Sequence, residues 1–595
     1  MMWEEVRLKY VVVAAAAGLL FACSDAGDEH LEDSPDGEEE TAFVGGKADD
    51  LFGECHVEHI LMLLNDPSID DEILIRDGVH TRAARNLVDH RAGEDETLGT
   101  DEDRYFRAIE EVDDVYFVGP VAMEQLSNAV DEYCEDQPWR EADSIFSPRV
   151  YHDSHIDRVV EKFESAQRSI DIAMYSISDQ RAISALGDAV SRGVTVRMLY
   201  DGANGDHLDT PGSRSAQLEE LGIDVRYINR IMHHKFAIID GPQDALLQAS
   251  QARFFSGSGN LSYGAATRYD ENTTFHRGDP ALVLTMQREF NHLWRHSRDL
   301  EWNEELEYFE TLPISSEMIP PRDDLEVLLT SKNFETTYSS RWGAGFRPIA
   351  FSEVVATRLV ELIDNANASI YIAAGFLRSR PVSEALMRRW SEDPELDVRI
   401  YLDQSEYISR WYNNSQTAER EDCIDDAGDD ESELYDCRER GFIFSYELLD
   451  RGIPVRFKNY SFRWHYSYAL QMHHKYMIVD RNTVATGSYN YSNNAEQNTM
   501  ENVIVYRSPH YAEVVDGFVE NFESIWETGH EEDRFDSLIE EIEGSEEEID
   551  LIFEPIALTW EQVTQVRSAI RDRCPDVDSE PYRRYPENHR SCEVR

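Results

Sequence analysis

Two segments of the chain carry nearly the same polar residues in the same order. Met232-His233-His234-Lys235-Phe236-Ala237-Ile238-Ile239-Asp240 is answered by Met472-His473-His474-Lys475-Tyr476-Met477-Ile478-Val479-Asp480. Each is followed by Gly-Ser-x-Asn, with Ser258 and Asn260 in the first copy and Ser488 and Asn490 in the second. Eleven residues beyond each Asn stands a Glu-Asn pair, Glu271-Asn272 and Glu501-Asn502. Packing selects for apolar periodicity, not for a polar set repeated at fixed spacing. The pattern therefore predicts one active site built from two halves.

The residue types define the chemistry. Lys235, Lys475, Asn260 and Asn490 offer N–H donors to the non-bridging oxygens of a phosphate, where negative charge develops during transfer. One neutral imidazole of the pair His233 and His473 can attack phosphorus and form a covalent intermediate. The other, protonated, can give its proton to the leaving alcohol and later activate water. Glu271 and Glu501 are placed to accept from the second ring nitrogen of a His and so fix its tautomer. A lone His-x-Lys or a lone Gly-Ser-x-Asn turn would mean little; the whole set, twice and in order, is specific.

Lysine usage sharpens the point. The chain holds only seven lysines among 56 basic residues, yet Lys235 and Lys475 occupy the same place in the two motifs. A compact ammonium and a planar guanidinium fork do different work, so Arg is no substitute there.

Each motif lies in a short apolar run bounded by turn residues, which reads as a buried strand. Side chains alternate faces along a strand, which puts His233 with Lys235 and His473 with Lys475. Asp240 and Asp480 stand at an odd offset, on the other face or past the strand end, in a supporting place. Flanking landmarks repeat too. A helix-like stretch from Ile156 leads to the strand at Ser169–Tyr175, and one from Val354 leads to Ser369–Ala373. Strands at Val194–Asp201 and Leu396–Asp403 follow, then Leu221–Arg226 and Arg451–Arg456. Helix–strand alternation of this kind predicts a duplicated α/β layered domain. About ten extra residues between Asp240 and Gly257 are expected to lengthen a hairpin beside the site, and about thirty more lie between Asp403 and Gly452.

The paired His-x-Lys-x₄-Asp and Gly-Ser-x-Asn motifs resemble those of the phospholipase D superfamily of phosphodiesterases, over roughly residues 145–530. The resemblance implies two α/β/α sandwich halves packed around one shared site. It implies catalytic roles for His233, Lys235, Asp240, His473, Lys475 and Asp480, with the first-copy His as nucleophile. Ser258, Asn260, Ser488 and Asn490 would hold the phosphate, with Glu271 and Glu501 in support. No metal and no cofactor is implied.

The expected organisation is a signal peptide over residues 1–22, an acidic linker over 23–50, and a small all-α module over 51–140. Half 1 then spans 141–310, a linker 311–347 and half 2 348–530, before an acidic extension over 531–595 that shows helical periodicity over Ile556–Ile570 and ends in a small disulfide-closed cap. The apolar run Val11–Ala22 is too short to span a bilayer. It ends in Leu20-Phe21-Ala22-Cys23, resembling a bacterial lipoprotein signal with Cys23 lipidated. Outer-membrane anchoring, or secretion into the periplasm or beyond, of a Gram-negative cell follows from that reading. Six further cysteines pair by proximity as Cys55 with Cys134, Cys423 with Cys437 and Cys574 with Cys592, which fits an oxidising compartment. Val115–Ala122 in the N-terminal module resembles a helix-hairpin-helix element, although Asp113, Asp114 and Glu124 flank it. The run Tyr460–Tyr468, with an aromatic at every other position, reads either as a packed strand or as a rim at the site mouth.

With 118 acids and a formal net charge of −62, the surface repels polyanions. A phospholipid membrane surface is therefore the expected substrate, hydrolysed to phosphatidate and free head group. Nucleic acid is the alternative, and an inactive binding protein is a third reading that two intact motifs oppose. A monomer already contains both halves of the site.

Overall fold

The computed structural model describes residues 52–573, apart from residues 96, 101, 136–138, 301–311, 342, 440–442, 462–468, 530–533 and 545–551. The expected signal peptide, Cys23, the expected acidic linker, the expected pairing of Cys574 with Cys592 and most of the aromatic run after Tyr460 lie outside the described residues.

The repeat read from the sequence folds as two eight-stranded sheets of one topology. From edge to edge, the first runs Glu141–Ser147, Glu271–Arg277, Arg253–Gly257, Lys235–Ile239, Ser169–Met174, Thr195–Tyr200, Asp224–Tyr227 and Arg298–Asp299. The second runs Leu325–Leu329, Asn502–Arg507, Thr483–Gly487, Lys475–Val479, Ser369–Ala374, Asp397–Asp403, Val455–Ser461 and Ile552–Thr559. In each, three strands are parallel and the motif strand runs antiparallel beside them. This is the duplicated α/β fold that the alternating elements predict.

Both faces of each sheet are covered, which is why the central strands read as unbroken apolar runs. Phe236 and Ile238 point into a core shared by the two halves, together with Tyr476 and Ile478 of the second motif. The helices Pro280–Arg295 and Ala512–Trp526 fill that shared core from either side. Ala237 and Ile239 point outward onto the helices His155–Glu164 and Gln180–Ser191, and Met477 and Val479 do the same in the second half. The halves therefore pack through the same kind of apolar surface that stabilises each alone.

The expected boundaries shift in three places. Leu325–Leu329, inside the expected linker, is the edge strand of the second sheet and pairs with Asn502–Arg507. Ile552–Thr559, inside the expected acidic extension, closes the other edge by pairing with Val455–Ser461. The helix Trp560–Arg573 then packs into the second core through Val563, Val566 and Ile570. The acids flanking both strands obscured them, whereas helical periodicity over Ile556–Ile570 is legible in the sequence and matches the helix, with its first residues forming the end of the strand instead. The third correction concerns the ten-residue insertion after Asp240. It forms a short helical turn, Leu246–Gln251, at the end of the motif strand remote from His233. There it docks on the N-terminal module, where His59 meets Ser250 at 2.8 Å and Asp66 accepts from the Leu246 amide at 2.6 Å. It does not border the site.

The N-terminal module is all-α, with helices Glu54–Asn65, Asp71–Arg76, Thr81–Ala92, Ile109–Asp113 and Pro120–Cys134 around their own apolar core. The Cys55–Cys134 disulfide ties the first helix to the last. Cys423–Cys437 clips together two helices of the thirty-residue insertion, Arg410–Ala427 and Glu431–Arg438. Among the described residues, no helix is long and apolar enough to cross a membrane.

Candidate active site

Each motif His stands just before its strand rather than in it, on a segment whose backbone is held by the other half. The His233 amide donates to the carbonyl of Met500 at 3.1 Å, and the His473 amide donates to that of Asp270 at 3.0 Å. These carbonyls belong to the residues immediately before Glu501 and Glu271. The side chains complete the exchange: His233 Nδ1 lies 2.8 Å from the Glu501 carboxylate, and His473 Nδ1 lies 2.7 Å from Glu271 Oε1. A carboxylate accepts, so each Nδ1 carries a proton, and Nε2 is left facing the site, with a lone pair where the ring is neutral and a second proton where it is charged.

Two aspartates that the motif reading overlooked hold the same segments from below. Asp201 Oδ1 accepts from the Met232 amide and Asp403 Oδ2 from the Met472 amide, both at 2.9 Å. Their signal was present in the repeat, since they stand at matching places at the ends of the strands Thr195–Tyr200 and Asp397–Asp403.

Lys235 and Lys475 are the first residues of their strands and are almost fully buried. Their ammonium groups donate to the carbonyls of His233 at 2.8 Å and His473 at 2.9 Å. Burial, with the charge of the other lysine, pulls Lys235 down to about 7. Burial likewise pulls Lys475 down to about 8, against the attraction of Glu271 and Glu501. Such lysines lack an anion, and an incoming phosphate would supply it.

The two histidines differ. Burial, reinforced by Lys235 and Lys475, depresses His233 well below the ordinary imidazole range. Burial also lowers His473, but there the charge of Glu271 opposes it. Their partners differ to match. Burial raises Glu501 to about 7; burial pushes Glu271 up as well, but the charge and hydrogen bond of His473 together with the charge of Lys475 outweigh it and hold the group low. A firmly ionised carboxylate stands behind His473 and a weaker one behind His233.

The Gly-Ser-x-Asn turns owe their glycine to a close approach. A Cβ on Gly257 would lie 2.1 Å from the carbonyl oxygen of Asn272, and one on Gly487 equally close to that of Asn502. Pairing of Phe236 with Ser256 and of Tyr476 with Thr486 sets the turns beside the motif lysines. The side-chain oxygens of Asn260 and Asn490 are buried there without partners. The serines depart from the expected phosphate contact. Ser258 and Ser488 are fully buried, and their hydroxyls accept from the Asn272 amide at 2.9 Å and the Asn502 amide at 3.0 Å. They brace the turn.

Asp240 and Asp480 also fall outside the reacting centre. Each lies past the far end of its five-residue strand with positive φ, 56° and 51°. Asp240 accepts from the amides of Gln167 and Arg168, and Asp480 from those of Asn367, Ala368 and Ser369. Both fix the turn that launches the neighbouring strand.

Two further neighbours carried no repeat signal, because each occurs in one half only. The Tyr175 ring stands edge-on to His233 at 4.7 Å, with Lys235 Nζ 5.2 Å from its centre. The equivalent residue, Gly375, has no room for a side chain, since a Cβ would meet the Met472 carbonyl at 2.9 Å. His155, buried, lies 3.1 Å from the Asn260 carbonyl through Nε2, so that nitrogen donates. Cys55, His59 and Cys134 also cluster, but both thiols are consumed in the disulfide.

Residues 159–294 and 359–526 match the family described as "Cardiolipin synthase, PLD-like domain", and the chain belongs to that family. A mitochondrial cardiolipin hydrolase of Chlamydomonas reinhardtii is 32% identical over 141 residues, which are 23% of this chain and 57% of the relative. One of Xenopus laevis is 30% identical over 149 residues, 25% of this chain and 64% of the relative. The chain thus spans about 57–64% of the length of these curated relatives. Among solved structures, a phosphatidylserine synthase of Haemophilus influenzae Rd KW20 is similar with a TM-score of 0.40 and 11% identity, over 64% of this chain and 85% of that one. Nuc, a phospholipase D family member from Salmonella typhimurium, gives a TM-score of 0.23 at 24% identity, over 27% of this chain and 99% of that one.

Proposed function

We propose that the protein is a phosphoric diester hydrolase of the phospholipase D type, acting on phospholipids to give phosphatidate and a free head group. The observation that carries the reaction type is the exchanged pair of His–Glu contacts beside two buried lysines. In this reading His233, neutral and with Nε2 free, attacks phosphorus. The P–N bond forms as the bond to the head-group oxygen breaks, and His473 delivers its proton to that oxygen. His473, now neutral, takes a proton from water, whose oxygen displaces Nε2 of His233 and regenerates the enzyme. Lys235, Lys475, Asn260 and Asn490 hold the non-bridging oxygens throughout.

The substrate class rests on the rim. Exposed apolar side chains stand on separate segments at the site end of the sheets. Tyr175 follows the strand Ser169–Met174, Ile231 precedes the first motif, Tyr263 follows Asn260, and Trp411 lies in the first turn of the helix Arg410–Ala427. Apolar residues around a phosphate-binding centre suit a lipid surface. The net charge of −62 disfavours a polyanion. The relatives named as cardiolipin hydrolases agree with a phospholipid substrate. Export, with Cys23 as a lipid anchor, belongs to the same proposal and is supported by the two disulfides.

The test offers full-length protein and a His233→Ala, His473→Ala variant phosphatidylcholine vesicles and, separately, single- and double-stranded DNA. Choline release lost in the variant supports the lipid reading. Strand cutting lost in the variant, without choline release, replaces it with a nuclease.

A further inference from the structure

Behind the reacting histidines lies a second pair, His234 and His474, that the mechanism does not use. Both are fully buried, and each faces the Asn that follows the opposite half's Glu. The repeat makes them look equivalent, but their surroundings differ.

His234 has an acceptor at each ring nitrogen. Nδ1 lies 3.0 Å from Asn502 Oδ1, and the Asn502 Nδ2 donates to Ser256 at 2.9 Å. Nε2 faces Glu289 Oε1 at 3.6 Å, and neither atom has another partner. The other Glu289 oxygen accepts from Ser331 at 2.8 Å. Two acceptors call for two N–H groups, and only the imidazolium has both.

His474 is arranged the opposite way. Its Nδ1 meets Asn272 Nδ2 at 3.2 Å, while Thr486 donates to Asn272 Oδ1 at 3.0 Å. Asn272 therefore gives a hydrogen to His474 rather than taking one, and Nδ1 is bare. The His474 Nε2 has no partner, and the Phe146 ring stands edge-on at 6.1 Å. Aligning Phe290 and Trp294 with Phe522 and Trp526 puts Asn521 where Glu289 stands. The Asn521 oxygen is taken by the Tyr476 hydroxyl at 2.8 Å. One half has a buried carboxylate behind its second His, and the other has none.

We infer that Glu289 is a positioning residue that holds His234 as an imidazolium directly behind His233, and so assigns the nucleophile's role to His233 rather than to His473. This rests on the proposed two-histidine reaction. Motif chemistry alone is close to symmetric and would let either imidazole start the attack. A cation adjoining His233 in the chain disfavours a proton on that imidazole, while His473, backed by a neutral His474, keeps its proton for the leaving oxygen. The groups facing His233 are Glu501, His473, Lys235, Lys475 and His234, and of these only His234 depends on Glu289. Those facing Glu289 are His234, His292 and Ser331. Depression of His233 below the ordinary imidazole range agrees with the arrangement.

The experiment compares the full chain with Glu289→Gln, which keeps the shape and the Ser331 hydrogen bond, on the soluble diester bis(p-nitrophenyl) phosphate. Rapid quench and mass spectrometry locate the phosphoryl group. The parent should carry it on His233 alone. The variant should carry it on both histidines, and the acid limb of its kcat/KM profile should move up by about one pH unit. An unchanged profile with the adduct still on His233 alone overturns the inference. A parent with no turnover and no adduct fails the proposed reaction instead. In either case ¹⁵N-histidine NMR of the parent at pH 6.5 tests Glu289 separately. Protons on both ring nitrogens of His234, lost in Glu289→Gln, are expected, and a neutral His234 in the parent overturns the inference even if the variant fails to fold.

Discussion

His233 of the first half donates through Nδ1 to Glu501 of the second at 2.8 Å, while its amide donates to Met500, the residue before that Glu. His473 makes the mirrored pair of contacts with Glu271 and Asp270. The proton on each imidazole Nδ1 is therefore held by the opposite half. Duplication alone would not require this; the exchange makes the reacting geometry a property of the interface between the halves.

Replacing one Glu should consequently damage the chemistry of the opposite half. Glu501→Gln can still touch His233 but lets the ring adopt the other tautomer, with Nε2 protonated and unable to attack. The expected effect is a fall in kcat of about 10²–10⁴-fold with little change in KM, the range for acid–base groups of this kind. Glu271→Gln should slow leaving-group departure, so its loss should be larger for a poor leaving alcohol than for p-nitrophenol. Comparing the two substrates in both variants checks the assignment. Equal losses on both substrates in Glu271→Gln would argue against an acid role for His473.

The lysines give a prediction that needs no turnover. Burial pulls Lys235 to about 7 and Lys475 to about 8, so above pH 8 the empty site holds less than its full positive charge. A bound phosphate dianion favours the ammonium forms and raises both values. Inorganic phosphate should therefore bind with proton uptake at pH 8, and raise the melting temperature less at pH 9 than at pH 7. Calorimetry in buffers of different ionisation enthalpy measures the uptake. Lys235→Arg should not restore binding, because a planar fork does not fit where a compact ammonium meets the His233 carbonyl.

Much of this site was legible because duplication printed it twice. His233, Lys235, Asn260 and Glu271 each have a counterpart at fixed spacing, and the structure brings both sets together. The unpaired features were hidden for the same reason. Tyr175 answers to Gly375, and Glu289 to Asn521, so no repeat singles them out. The edge strands Leu325–Leu329 and Ile552–Thr559 were obscured by the acids around them. Ser258 and Ser488 show the limit of motif reading from the other side, since both copies carry them and both bury the hydroxyl beneath the turn. Repetition marks importance without saying whether the work is chemical or structural.

Asp240 and Asp480 make that distinction measurable. Each sits at the far end of a strand from its His, at about 3.3 Å per residue. Asp240→Asn leaves one oxygen to accept from the Gln167 and Arg168 amides, but it removes the charge and replaces the second oxygen, which accepts from the Arg253 guanidinium, with an NH2 donor. The expected cost is about 1–3 kcal/mol of stability, with kcat of the folded protein within a few-fold of the parent. Urea unfolding and turnover on the same samples separate the two. A large loss of kcat without loss of stability would return Asp240 to the reacting centre.

Acid stability should depend on a cluster between the halves. Burial pushes Asp279 up, but the His276 ring 3.8 Å away, the charge of Arg322 at 3.3 Å and the hydrogen bond from the Tyr511 hydroxyl outweigh it and hold the carboxyl below its ordinary range. A group depressed in the folded state stabilises it above the unfolded value, about 3.9, and loses that contribution as pH falls through the folded one. Asp279→Asn should cost about 3 kcal/mol at pH 7, since Arg322 keeps Glu58 and Asp324 as partners. The difference from the parent should shrink between pH 4 and pH 2. Denaturation midpoints at both ends of that range provide the check.

The rim offers the sharpest contrast between binding a surface and doing chemistry. Tyr263 is 58% exposed and Trp411 69%, and among the described contacts neither touches a reacting residue. If the site works at a lipid surface, Tyr263→Ser with Trp411→Ser removes apolar area that would enter the bilayer boundary. An aromatic ring buries about 150–250 Å², worth several kcal/mol of partitioning for the pair at about 25 cal/mol per Å². Vesicle binding should weaken at least tenfold and phosphatidylcholine hydrolysis in vesicles should fall with it. Hydrolysis of a short-chain phosphatidylcholine below its micellar concentration should stay within about twofold, because the His–Glu exchange and the lysines are untouched. Equal losses on vesicles and monomers would mean that these side chains shape the site itself.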